Sequence, residues 1–271
     1  MADKEPASPT TITQVIAQLL DRGAIAAVIT VVRGPTTGAK LLINEHEIIA
    51  GSLGNAELDA LAGAHVSEFL RSHHETRMFS VNDLAPGFPL ASETVLLFER
   101  LQPAPRLVVC GAGHVGAALA KLGSFVGYQT TLIDDRAEFL QRSLFPEGQI
   151  ELVVADDWET AVGDVIGTGR GVAVAVVTRG HNEDERCMHA VIRTDPDYTG
   201  LIGSKRRTSI VIDRLREKGA SEEQLKKIHA PIGLDIGAIS PEEVALAIIA
   251  EIVTQRRGAS GGSLSAWRRK P

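Results

Sequence analysis

Gly111-Ala112-Gly113-His114-Val115-Gly116 follows a short apolar run, Leu107 to Cys110, and leads into apolar residues at Val115, Leu119, Leu122 and Val126 spaced for one face of a helix. Three glycines in G-x-G-x-x-G spacing between a strand and a helix are suited to receiving a phosphate or pyrophosphate. The first allows the tight turn, the second lets the ligand approach the backbone, and the third lets helix and strand pack closely. Free amides at the helix start, together with its dipole, supply the attraction. A second strand is expected at Thr130 to Ile133, and after it Asp134 stands where an acid usually meets a ribose hydroxyl. Its neighbours Asp135 and Arg136 complete a polar cluster whose acids could contact sugar hydroxyls or a pterin-like donor edge, or could simply form a solvated turn.

Two further loops follow predicted strands. Thr178-Arg179-Gly180-His181-Asn182-Glu183-Asp184-Glu185 contains a plausible N-cap pair, Asn182 with Glu185, which leaves His181 without a local explanation. An imidazole there suits ligand contact or proton transfer. Gly203-Ser204-Lys205-Arg206-Arg207 places three cations at a helix start, where they oppose the dipole and call for a negative partner. A solvated basic face is the plainer reading of such a run. The candidate binding set is therefore Gly111, Gly113, His114, Val115, Gly116, Asp134, Asp135, Arg136, Thr178, Gly180, His181, Gly203, Ser204, Lys205 and Arg206. No catalytic set and no metal site emerge: Cys110 and Cys187 have no partner at ligand spacing and suit buried apolar positions.

The elements that would position these loops alternate. Strands are expected at Arg106 to Cys110, Thr130 to Ile133, Ile150 to Val154, Val172 to Val177 and Thr199 to Ile202, with clear helices after the first, fourth and fifth. That pattern predicts an α/β fold, a Rossmann-like doubly wound parallel sheet over residues 103–258, with ligands beyond the carboxyl ends of its strands. A smaller α+β domain is expected over residues 1–102, with strands at Ala24 to Val32, Ala39 to Ile43, Glu47 to Ala50 and Thr94 to Phe98, a polar stretch from His73 to Gly87, and a disordered start at residues 1–10. Gln102-Pro103-Ala104-Pro105 reads as a stiff linker, and residues 259–271 as a flexible tail. Ser240-Pro241-Glu242-Glu243 opens a final helix that is apolar nearly all round, which predicts cover on two sides, by the sheet and by the first domain or a second subunit, the latter giving a homodimer.

Composition narrows the function. The 271 residues carry a net charge of −6 and only 4% aromatics, which argues against a general nucleic-acid binder. No signal-like or membrane-spanning run is visible, so a cytoplasmic location is expected, with no membrane partner.

With these residues laid out, the second domain closely resembles the XdhC/CoxI family, accessory proteins of xanthine dehydrogenase and related molybdenum hydroxylases. The matching text is Gly111-Ala-Gly-His-Val-Gly116, Ile133-Asp-Asp-Arg136, Thr178 to Glu185, Tyr198-Thr-Gly-Leu-Ile-Gly-Ser-Lys-Arg-Arg207, His229-Ala-Pro-Ile-Gly-Leu-Asp-Ile-Gly237 and Pro241 to Leu246. The resemblance implies a maturation factor rather than an enzyme. Such a protein binds the molybdenum cofactor, a pyranopterin phosphate in bare or dinucleotide form, and shields it from oxidation. It keeps the cofactor available for sulfuration by a cysteine desulfurase and hands it to the target hydroxylase. The turn at Gly111 to Gly116 would hold phosphate, and the loops at Thr178 to His181 and Gly203 to Arg206 would face the same ligand. In the first domain Val31-Val-Arg-Gly34, Gly38-Ala-Lys-Leu-Leu42 and Gly51-Ser-Leu-Gly54 are similar to the family, but the cysteine-bearing segment of many members is missing. Two rival readings are an NAD(P)-dependent oxidoreductase, with His181 beside a nicotinamide, and a nucleotide-sensing regulatory module.

Overall fold

Alternation along the strands of the first unit assigns each side chain to one of two helices. Helix α1 (Pro9–Asp21) precedes β1 (Ala26–Arg33), β2 (Lys40–Ile43) and β3 (Ile48–Ser52). Helix α2 (Ala56–Arg71), β4 (Thr76–Ser80), a one-turn α3 (Val81–Leu84) and β5 (Val95–Leu101) follow. The strands form an antiparallel sheet in the order β3-β2-β1-β5-β4. Ala27, Ile29 and Val31 of β1 pack with Leu58, Val66 and Phe69 of α2, whereas Ala26 and Val28 meet Val15, Ile16 and Leu19 of α1. Cover on both faces accounts for the unbroken apolar run in this strand. The polar stretch from His73 to Gly87, to which the sequence pattern assigns no element, contains β4 and α3. As an edge strand with Thr76, Arg77 and Met78 exposed, β4 shows no apolar period.

The computed structural model describes residues 9–21, 24–44, 46–72, 74–88, 93–146 and 149–265. The expected disordered start lies outside the described residues up to residue 8, and helix α1 already begins at Pro9. The expected flexible tail lies outside them from residue 266. The chain divides into two units, residues 1–103 and 104–271.

The second unit runs β6 (Arg106–Cys110), α4 (His114–Phe125), β7 (Gln129–Asp134), β8 (Ile150–Val154), α5 (Trp158–Ile166), β9 (Val172–Val176) and α6 (His181–Thr194). It continues through β10 (Tyr198–Leu201), α7 (Lys205–Glu217), α8 (Glu222–Lys226), β11 (Ile228–His229) and α9 (Pro241–Arg257). Two 3₁₀ turns, Ala137–Phe139 and Arg142–Leu144, take the place of a helix between β7 and β8. The sheet order β11-β10-β9-β6-β7-β8 has every neighbour parallel. Counted from β6, this is the 3-2-1-4-5-6 order of a doubly wound dinucleotide-binding sheet, with its switch point between β6 and β9. Leu107 and Val109 face the layer containing Leu119, Ala120, Ile248 and Ile252 of α4 and α9. Val108 and Cys110 face Val162, Cys187, Met188 and Val211 of α5, α6 and α7. The sixth strand, β11, escapes a sequence reading because two residues show no period. On α9, Ala245, Ile248 and Ile249 are buried while Leu246 and Val253 remain exposed, so its apolar circumference is only partly covered within this unit. Among the described residues, no helix is long and apolar enough to cross a membrane.

Because all six strands are parallel, the segments after β6, β7, β9, β10 and β11 leave from one edge of the sheet.

Candidate functional site

The glycine turn after β6 is dictated partly by the chain's own packing and partly not. Gly111 has φ 113°, and a Cβ there would stand 2.7 Å from the Val177 carbonyl oxygen. At Gly116 a Cβ would lie 1.8 Å from the Gly111 carbonyl oxygen, so α4 packs on β6 only with glycine at that position. Gly113 differs: its φ of −66° and ψ of −176° suit any residue, and a Cβ there would meet nothing within 4 Å. No side chain caps α4 at Gly113, which leaves amides of its first turn without a side-chain acceptor. Helix α6, on the other side of the switch point, likewise begins at a glycine, Gly180, without a side-chain cap. Val115 turns its side chain into the core and offers the site only its amide. His114 is exposed at the first position of α4 and makes no hydrogen bond or ion pair among the described residues.

Asp134 is in place at the end of β7 but has a different task from the one its position suggests. Only 1% exposed, it accepts the Ala112 amide at 2.6 Å through Oδ2 and the Arg136 amide and Nε at 3.0 and 2.8 Å through Oδ1. Both oxygens are engaged within the protein, so the expected ribose contact is replaced by a brace under the glycine turn. Arg136 closes the brace with its second nitrogen at 3.0 Å and lies over the Phe139 ring, 4.0 Å from its centroid. Beside it, Asp135 receives both guanidinium nitrogens of Arg179 at 2.7 and 2.8 Å. The Arg179 guanidinium holds the Asp135 carboxyl down at about 2.

Behind the loop after β9 lies a buried network. The Thr178 hydroxyl donates to Asp184 Oδ1 at 2.6 Å, and Arg207 donates to Asp184 Oδ2 at 2.9 and 2.5 Å and to the Thr178 carbonyl at 3.2 Å. Asp184 is fully buried, and burial pushes its carboxyl up against the opposing pull of Thr178 and Arg207. This network ties the start of α7 to the loop after β9. It also corrects two expectations. The Asn182–Glu185 capping pair is not formed, because the helix starts two residues earlier with Gly180 as its N-cap. Of the three cations after Gly203, Arg207 has an internal counter-charge, while Lys205 and Arg206 are exposed without an ion pair or hydrogen bond from their side chains among the described residues. Ser204 caps α7, accepting the Arg207 amide at 3.3 Å, and Gly203 has φ 147°, which demands glycine. His181 is exposed at the first position of α6.

Sequence reasoning missed Arg179, Asp184 and Arg207, whose partners lie far along the chain. It also assigned no site role to the segment after β11. Pro231 to Ile239 emerges on the same edge, fixed by the Ile232 amide to the Leu201 carbonyl at 3.0 Å and by the Gly233 amide to Glu251 Oε2 at 2.9 Å. Glu251 also accepts the Tyr198 hydroxyl at 2.5 Å.

Residues 107–252 match the family model of the XdhC Rossmann domain. The chain belongs to the XdhC family. It is 34% identical over 158 residues to the uncharacterized protein YqeB of Escherichia coli K12, covering 58% of this chain and 28% of that one. It is 29% identical over 164 residues to a probable xanthine dehydrogenase subunit of Bacillus subtilis 168, covering 60% and 47%. Against the molybdenum cofactor insertion chaperone PaoD of E. coli K12 it is 25% identical over 155 residues, covering 57% and 41%. The matched regions thus span less than half the length of each of these curated relatives. In fold, the chain is similar to a crystal structure named as a xanthine dehydrogenase from Bacillus halodurans, with a TM-score of 0.66 and 19% identity over 92% of this chain and 67% of that one.

Proposed function

We propose that this XdhC-family chain binds the molybdenum cofactor at the β6–β9 switch point and delivers it to a xanthine dehydrogenase-like molybdenum hydroxylase, as a maturation factor in the cytoplasm. The observation that carries the reading is Gly113: nothing in the protein's own packing requires glycine there, and the helix that starts beside it has no side-chain cap. A phosphate approaching the amides of that helix start would supply the missing requirement. The names of the B. subtilis and E. coli relatives supply the class of ligand and target.

The donors present fit a phosphate-bearing pterin. Amides of Gly113 to Gly116 would hold the phosphate, with Lys205 and Arg206 contributing positive charge from the start of α7. Thr178, Gly180 and His181 border the same edge, and the exposed imidazoles of His114 and His181 are placed to donate to or accept from a ligand's polar edge. When bound to its target, the cofactor supplies the metal-centred redox chemistry of the hydroxylase. The role of this chain is to bind, orient and release. A cysteine desulfurase as sulfur donor and a homodimer formed through the exposed Leu246–Val253 side of α9 belong to the same proposal. A nicotinamide oxidoreductase fits less well, because the acid that would grip a ribose is already engaged with Ala112 and Arg136.

The test is to mix the purified chain with cofactor released from a molybdenum hydroxylase, separate by gel filtration, and add the complex to apo-hydroxylase. Retention of the cofactor and a rise in hydroxylase activity are expected. Failure to retain it would overturn the proposal.

A further inference from the structure

Three arginines at this edge are each held by an aspartate: Arg136 by Asp134, Arg179 by Asp135 and Arg207 by Asp184. Their carboxylates differ in burial. Asp134 and Asp184 are 1% and 0% exposed, whereas Asp135 is 28% exposed and its partner Arg179 45%. Removing the arginine from either of the first two would leave a buried charge uncompensated, which is strongly unfavourable. Asp135 without Arg179 would still be solvated and would keep Arg136 at 3.8 Å, so that exchange costs little.

The location of the exchangeable pair matters. Asp135 follows β7 and Arg179 follows β9, and these strands are not neighbours, because β6 lies between them. The pair therefore crosses the segment that follows β6, the glycine turn. That turn touches both flanks: Gly111 packs on the Val177–Thr178 backbone, and the Ala112 amide is bonded to Asp134.

We propose that Arg179 is a specificity-determining contact for a phosphate or phosphoanhydride group, and that Asp135 is an internal stand-in for that anion, holding the guanidinium across the glycine turn until the ligand takes its place. The inference rests on the cofactor-binding reading above and names the group that reading must recognise. A guanidinium fork fits two carboxylate oxygens or two phosphate oxygens alike, and a phosphate brings more charge. With the Asp135 carboxyl ionised at neutral pH, the exchange is anion for anion and moves no proton. Glu183, 3.3 Å from Arg179, is a second carboxylate that keeps the arginine near the mouth after the exchange. A ligand lacking the phosphate has nothing to trade for the ion pair.

The experiment is calorimetric titration of the purified chain with inorganic pyrophosphate and with ADP, at fixed salt, for wild type, Arg179→Gln, Arg179→Lys and Asp135→Asn. Arg179→Gln should weaken binding about tenfold or more. Arg179→Lys should be intermediate, since it keeps the charge and loses the fork. Asp135→Asn should tighten binding about fivefold, the worth of an exposed pair no longer competing. Asp135→Asn that weakens binding as Arg179→Gln does would overturn the inference, because the pair would then be a scaffold. So would variants that all bind like wild type. Wild-type chain that retains the molybdenum cofactor but binds neither pyrophosphate nor ADP would refute the phosphate contact alone; chain that retains none of the three would overturn the cofactor-binding reading as well.

Discussion

Gly113→Ala separates ligand approach from folding. At φ −66° and ψ −176°, with nothing within 4 Å of the added methyl, alanine fits the backbone and the space. Its cost to folding is the poorer N-cap preference of alanine relative to glycine, about 1 kcal/mol or less. Gly116→Ala is the counter-case: its methyl would stand 1.8 Å from the Gly111 carbonyl oxygen, and relief requires moving α4 off β6. Overpacking of that kind costs roughly 3 kcal/mol. For the ligand the ranking reverses. A methyl at position 113 occupies the approach to the α4 amides, and losing one hydrogen bond to a charged group removes about 1.5–3 kcal/mol, roughly a ten- to hundredfold weaker complex. Urea unfolding would measure stability, and titration with the cofactor at constant salt would measure binding. A Gly113→Ala variant should unfold within about 1 kcal/mol of wild type and bind at least tenfold more weakly. If it binds as tightly as wild type, the ligand does not approach through this turn and the reasoning fails.

Other outcomes follow from the carboxylates. Arg207→Ala leaves fully buried Asp184 with Thr178 alone and should cost about 3 kcal/mol in urea unfolding. Asp184→Asn should cost less, because the orphaned Arg207 is 31% exposed and can be solvated; the opposite ranking would contradict the assignment. Burial raises the Asp184 carboxyl, so protonation favours the folded state, and the Arg207→Ala deficit should shrink as pH is lowered through that titration. Asp135 behaves with the other sign: lowered from 3.8 to about 2, it contributes stability above pH 4 that is lost as pH falls towards 2. The full shift would be worth about 2 kcal/mol, and with Arg179 45% exposed about 1 kcal/mol is expected. Asp135→Asn should therefore be less stable than wild type at pH 7 and equal to it near pH 2, and a deficit unchanged at pH 2 would refute the pairing. Asp134→Ala frees the Ala112 amide, bonded at 2.6 Å, and should raise its hydrogen-exchange rate while costing about 2 kcal/mol; unchanged exchange would exclude the brace.

The second unit was largely legible because its signals are local. An apolar run, three glycines and a helical period lie within twenty residues of one another, and right-handed crossovers restrict the order in which such units can assemble. Antiparallel β4 and two-residue β11 were not legible, since neither an exposed edge strand nor a two-residue strand carries an apolar period. Asp134 shows where local reading stops. Its place at the strand end was correct, but its role depends on an arginine two residues later and on an amide 22 residues earlier. The nearby arginine was a usable signal: Asp-x-Arg at a strand end can close on itself.

The cation run after Gly203 meets the same limit at longer range. Three positive charges at a helix start imply a negative partner, but how much of it the protein supplies depends on which carboxylate the fold carries within reach. Asp184, 23 residues away and in the first turn of another helix, satisfies Arg207 completely enough to bury its own charge. Arg136 and Arg179 are likewise matched by Asp134 and Asp135. Arg179 has a second carboxylate, Glu183, besides Asp135, so internal charge matching keeps the loops of this edge in register. Lys205 and Arg206 are the cations of that run left over after this internal matching. With an overall charge of −6, these two exposed cations are not the broad basic face that a nucleic-acid backbone would need.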